Sequence, residues 1–144
     1  MAESASGRSV RTKHADLSLE DIARALPGTG ELMVAVGRCY AMCWHSAHGG
    51  NWELATYFMR RVRSLLRTLV VVRPQYGEQS QDYDQQFLEP IYQALLSQDL
   101  WAFDSAYESG TDQANLLHVD TGHPYIRWTR PEAPPDQGLE LGPA

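Results

Sequence analysis

The residue types able to do chemistry are few, and His118 is the one with the most distinctive surroundings. It closes the run Ala114-Asn115-Leu116-Leu117-His118, which is followed by Gly122-His123-Pro124-Tyr125-Ile126 and then Arg130-Pro131. A histidine there has two uses. It can end a helix, where an imidazole bonds the last free carbonyls and complements the dipole, or it can face inward as a ligand. Met42, His45 and His48 stand at i, i+3 and i+6, with Cys39 and Cys43 on a neighbouring strip. Two histidines make at most a two-point surface site, whereas stable zinc or copper binding wants three or four converging ligands. Solvated histidines beside core cysteines is the plainer reading. The C-x-x-x-C spacing stacks both thiols on one helix face and lacks a second ligand pair. Arg60, Arg63 and Arg67 share a face, flanked by Arg61 and Arg73. That stripe either docks an acidic partner or anionic ligand, or is the solvated side of an amphipathic helix, paired with Glu53 or with acids of the next helix. There is no nucleophile elbow, phosphate-binding glycine loop, paired zinc motif or Glu-x-x-His di-iron pair. Acid-base work by His118, Glu108 or Asp104 would need no motif.

The pieces around His118 resemble the C-terminal part of small helical-bundle cytochromes of the cytochrome c′-like family. In those proteins the last helix ends in C-x-x-C-H and a Gly-x-Pro-aromatic-Ile segment follows. Gly50-Asn51-Trp52-Glu53-Leu54-Ala55 resembles their second-helix start, and the likeness runs from about Glu31 to Pro135. It implies a haem whose vinyl groups bond two cysteines and whose iron takes the histidine. Here the cysteine positions fall on Ala114 and Leu117, which cannot form thioethers, while the histidine is retained as His118. The resemblance therefore implies either no cofactor or a non-covalent haem, with His118 as axial ligand and the iron as the only metal. Met33, Met42, Met59 or Cys43 would supply any second ligand. If the haem space survives without haem, larger side chains or another ligand must fill it. Trp101, Phe103, Leu116 and Leu117 are the expected fillers, and Trp101, Phe103 and Leu117 the expected pocket lining beside His118. The tryptophans and tyrosines are numerous enough to hold a flat ligand between helices.

The elements that must position these residues are helical. Asp16-Leu17-Ser18-Leu19-Glu20-Asp21 offers capping residues before Ile22, Ala23 and Leu26, so a short helix is expected up to Pro27-Gly28. Apolar residues at steps of three and four predict a helix from Glu31 to His48, ended by Gly49-Gly50. Asn51 caps another from Trp52 to Arg73 before Pro74. A polar loop over 75–81 leads to a third helix, Asp82 to Ser97, in which Pro90 predicts a kink or a delayed start. A fourth is expected from Asp99 to His118, with Gly110 as a weak point. The fold class is all-α: an antiparallel four-helix bundle with a short N-terminal helix and an extended C-terminal tail. Residues 1–15 are expected as a disordered arm, 16–131 as the bundle domain and 132–144 as a flexible tail.

Composition narrows the function classes. The 144 residues carry 12 Lys plus Arg against 18 Asp plus Glu, a formal net charge of −6. That argues against nucleic-acid and anionic-membrane partners. No apolar run is long enough to cross a bilayer, and the start is polar, so a cytoplasmic location is expected, or a periplasmic or secreted one if a leader has been removed. A homodimer through the first two long helices is a further expectation. Three functions follow in order. The first is a non-enzymatic module binding a small apolar or aromatic ligand, or a partner, in the old haem region. The second is a non-covalent haem protein using His118 in electron transfer, gas binding or haem-dependent oxidation. The third is a cofactor-independent enzyme of specialised metabolism, which would need a polar pair such as His118 with a buried carboxylate.

Overall fold

Ser18 starts the first helix, α1 (Leu19–Ala25), in the way its sequence offers. Its hydroxyl accepts from the Asp21 N–H at 3.0 Å, and the Asp21 carboxylate accepts from the Ser18 N–H at 3.2 Å, so two otherwise orphaned donors are satisfied reciprocally. The computed structural model describes residues 7–144, and residues 1–6 of the expected arm lie outside them. The rest of that arm forms a short hairpin, β1 (Ser9–Arg11) pairing antiparallel with β2 (Asp16–Ser18). Thr12 closes its turn, the hydroxyl donating to the Ala15 carbonyl at 2.9 Å.

The remaining described secondary structure is helical: α2 (Thr29–His48), α3 (Trp52–Val72), α4 (Gly77–Tyr83), α5 (Glu89–Leu96) and α6 (Leu100–Asp120). Asn51 caps α3 by accepting from Leu54 N–H at 3.1 Å, and Asp99 caps α6 by accepting from Ala102 N–H at 3.0 Å. One core runs through the helices, with Val36, Met42, Met59, Val62, Leu88, Ile91 and Phe103 fully buried. No helix of the described residues is long and apolar enough to cross a membrane.

Three expectations are corrected. Residues 75–81 are not a loop: Pro74–Tyr76 forms a 3-10 turn and α4 follows at once. Its polar face hides it from periodicity, and Tyr83, buried at its end, ties it to the core by donating to the Gly110 carbonyl at 2.9 Å. Pro90 does not delay the start of its helix. A π segment (Asp84–Leu88) absorbs the irregularity, the Glu89 N–H reaching back to the Asp84 carbonyl, and the helical rod runs unbroken over 77–96. Gly110 does not interrupt α6. It lets Tyr40 of α2 and Ile91 of α5 approach so closely that an added Cβ would lie 2.8 Å from Tyr40 Oη.

Beyond α6 the chain is extended, as its prolines require. Asn115 holds it, accepting from the Trp128 N–H at 2.7 Å and donating to the Trp128 carbonyl at 3.0 Å. The stretch 132–144, expected to be flexible, packs on α2. Asp136 pairs with Arg38, its N–H points at Met42 Sδ at 3.4 Å, and Asn51 Nδ2 donates to the Glu140 carbonyl at 3.1 Å. The Gly49-Gly50 turn receives it, since a Cβ on Gly49 would meet the Leu141 carbonyl at 2.2 Å. Glycine there both ends the helix and admits the tail.

Candidate functional site

A cavity of about 480 Å³ lies where the first half of α2, the end of α3, α4 and the last turns of α6 diverge. Each wall follows from helix periodicity. Met33, Val36 and Gly37 lie on one face of α2 at steps of three and four, as do Ala114, Leu117 and His118 on α6. Leu66 and Leu69 come from α3, and Ile126 and Trp128 of the extended segment close one side. The Trp128 indole packs over Gly37, its nearest atom 3.5 Å from where a Cβ would stand, an ordinary contact distance.

His118 is the polar feature of this wall. Its Nδ1 is shut off from solvent and has no hydrogen-bond partner, and its ring meets Trp128 edge-on at 5.5 Å. Burial pushes its pKa below the ordinary histidine value, with the Ile126 backbone acting in opposition and His123 adding to the depression. The ring is therefore held neutral at neutral pH. Thr121, His123, Gln79 and Ser80 supply other polar groups, and Arg38 lines the cavity while pairing with Asp136. No aspartate or glutamate lines it.

Of the residues expected at the site, Leu117 and His118 are brought together there, with Ala114 beside them. Trp101 and Phe103 are not. They precede His118 by 17 and 15 residues, about 25 and 22 Å along a helix rising 1.5 Å per residue. Phe103 is instead fully buried in the core against Tyr107, ring centroids 5.6 Å apart, and Trp101 is 84% exposed on the surface. Leu116 points outward too. Neither aromatic fills or lines the cavity. Among the four sulfur candidates, only Met33 lines it, while Met42, Met59 and Cys43 are fully buried in the core.

The other clusters are tied up structurally. His45 Nε2 meets the Pro131 carbonyl at 3.1 Å. His48 bonds the Asp104 carboxylate and stacks on Trp44 at 3.9 Å, and Arg130 lies 4.7 Å from the same indole. Among the described residues no three His, Cys, Asp or Glu side chains are grouped to hold a metal ion. Burial raises the pKa of both Cys39 and Cys43, leaving them as protonated core thiols. In the arginine stripe, Arg63 is engaged by Asp84 through two bonds of 2.7 and 2.8 Å and by Glu89 at 2.7 Å. Arg60 donates to Tyr92 Oη at 3.2 Å. The acids of the next helical rod, not Glu53, are thus its partners.

Sequence reasoning missed the clamp behind the cavity. Tyr40 donates to the Tyr107 carbonyl at 2.7 Å, Tyr107 donates to the Tyr40 carbonyl at 3.1 Å, and the rings stack at 4.2 Å. The only signal was that both tyrosines fall on inward helix faces. No family model matches the chain, and neither a curated protein nor a solved structure is matched by it.

Proposed function

We propose that this chain is a non-enzymatic binding protein of the cytochrome c′-like kind, an antiparallel four-helix bundle that takes a small apolar or aromatic ligand in the His118 cavity. The short connections 49–51, 73–76 and 97–99 between α2, α3, the 77–96 rod and α6 support the bundle reading. One observation carries the function: an apolar cavity of about 480 Å³ whose wall holds an imidazole with an unpartnered nitrogen. Ligand sites combine mostly apolar walls with a few polar groups in this volume range. Among the described residues no carboxylate lines the cavity to pair with His118, which favours a binding role over the acid-base enzyme.

A non-covalent haem is the second reading, favoured because Met33 and His118 line the same cavity. Bound there it would supply redox and gas-binding chemistry. The donor set fits it incompletely. Ala114 and Leu117 give no covalent hold, and a ligating imidazole normally donates its other N–H to a partner, which Nδ1 lacks.

The test is titration with the fluorescent probe N-phenyl-1-naphthylamine, and separately with hemin. Saturable one-to-one binding of the probe is expected, lost in Leu117→Trp, which fills the cavity, while far-ultraviolet circular dichroism stays native. Absence of saturable binding, or binding indifferent to that substitution, refutes the ligand reading. A sharp Soret band that disappears in His118→Ala puts haem first.

A further inference from the structure

If the cavity takes a ligand at all, the chemistry of its wall narrows what that ligand is, and this step rests on the binding role proposed above. His118 lines the cavity, and its Nδ1 is sealed from solvent without a hydrogen-bond partner among the described residues. Burial keeps the imidazole neutral. In that form one nitrogen donates and the other accepts. A hydroxyl satisfies an imidazole nitrogen in either tautomer, because it is donor and acceptor at once.

Charged head groups are disfavoured on separate grounds. An ammonium ligand would find no carboxylate in the wall. A carboxylate ligand would meet an Arg38 whose charge is already balanced by Asp136 of the C-terminal stretch. An uncharged polar group at His118 is what remains. The body attached to it meets Leu66, Leu69, Leu117 and Ile126 together with the rings of Trp128 and Tyr76, surfaces that favour a compact aromatic skeleton stacked or edge-on.

We propose that the ligand is a neutral phenol-type molecule, an aromatic ring system whose hydroxyl bonds the His118 imidazole while its rings occupy the apolar cavity. A polar group in a largely apolar wall discriminates against an analogue that leaves it unpaired. Two probes of nearly equal shape read this directly: 2-naphthol and naphthalene, titrated calorimetrically or by probe fluorescence into the full chain. The expected result is tenfold or greater preference for 2-naphthol, on the order of what one hydrogen bond in a buried site gives.

His118→Leu should reduce that preference to near unity while naphthalene still binds, which shows that the variant retains a folded cavity. His118→Gln, which restores a donor and an acceptor, should recover part of it. Equal binding of both probes by the unmodified chain overturns the hydroxyl inference and leaves the apolar cavity standing. A preference that persists in His118→Leu overturns the assignment to His118. If neither probe binds, the binding role itself falls, and this inference with it.

Discussion

Gly110→Ala should destabilise the protein by about 2 kcal/mol, although the same change on an exposed helix would stabilise it by about 1 kcal/mol through helix propensity. The new Cβ would lie 2.8 Å from Tyr40 Oη and 3.2 Å from Ile91 Cδ1, where unstrained contacts sit at roughly 3.5 Å or more. Tyr40 has no easy retreat. Its hydroxyl donates to the Tyr107 carbonyl at 2.7 Å, lies 3.2 Å from Thr111 Oγ1, and its ring is stacked on Tyr107. Displacing it leaves a buried hydroxyl underbonded, at about 2 kcal/mol, and overpacks the junction by about 1 kcal/mol. Subtracting the propensity gain gives a net near 2 kcal/mol, or about 6 °C in Tm for a chain of this length. Urea and thermal unfolding followed by circular dichroism would measure it. A double-mutant cycle isolates the cause: in a Tyr40→Phe background the hydroxyl is gone, and the same substitution should cost under about 1 kcal/mol. A stabilising Gly110→Ala, or an equal cost in both backgrounds, would refute the reasoning.

Gln98 occupies a left-handed conformation, φ 53°, immediately after α5, so Gln98→Gly should stabilise the fold by about 0.5–1 kcal/mol in urea melts. His118 and His45 both have pKa values lowered chiefly by burial. Protons therefore bind the unfolded chain more readily as pH falls below about 6.5, and stability should be full above that value and decline below it. His118→Leu should flatten part of that slope, which unfolding between pH 7.5 and 5 would show. Gly49→Ala would drive a Cβ to 2.2 Å from the Leu141 carbonyl, and limited proteolysis should then cleave the 132–144 stretch sooner than in the parent chain.

Local signals were legible where one residue decides a local outcome. Ser18, Asn51 and Asp99 each flank an apolar period, and each caps a helix. The strong period from Trp52 onward placed α3 to within a residue of its end. What failed to show has physical reasons. Residues 77–82 expose polar side chains along most of α4, so nothing periodic marks it, and Pro90 reads as a breaker unless a π turn can be foreseen. The docked C-terminal stretch depends on two glycines that already had an explanation as a helix stop, and on Arg38 meeting Asp136 across 98 positions.

The cavity shows both the reach and the limit of a motif. His118 and Leu117 were found from a short local pattern, because neighbours on one helix face share a wall. Met33 and Trp128 complete that wall from elements whose meeting depends on how the helices cross, which no spacing along the chain encodes. Trp101 and Phe103 are a different case, since a simple measure excludes them. A separation of 15 or more residues on one helix is over about 20 Å, longer than a cavity holding a ligand of a few rings. Their aromatic character suggested pocket lining, but rise per residue assigns Phe103 to the core beside Tyr107 and leaves Leu117 as the one expected filler that the void can touch.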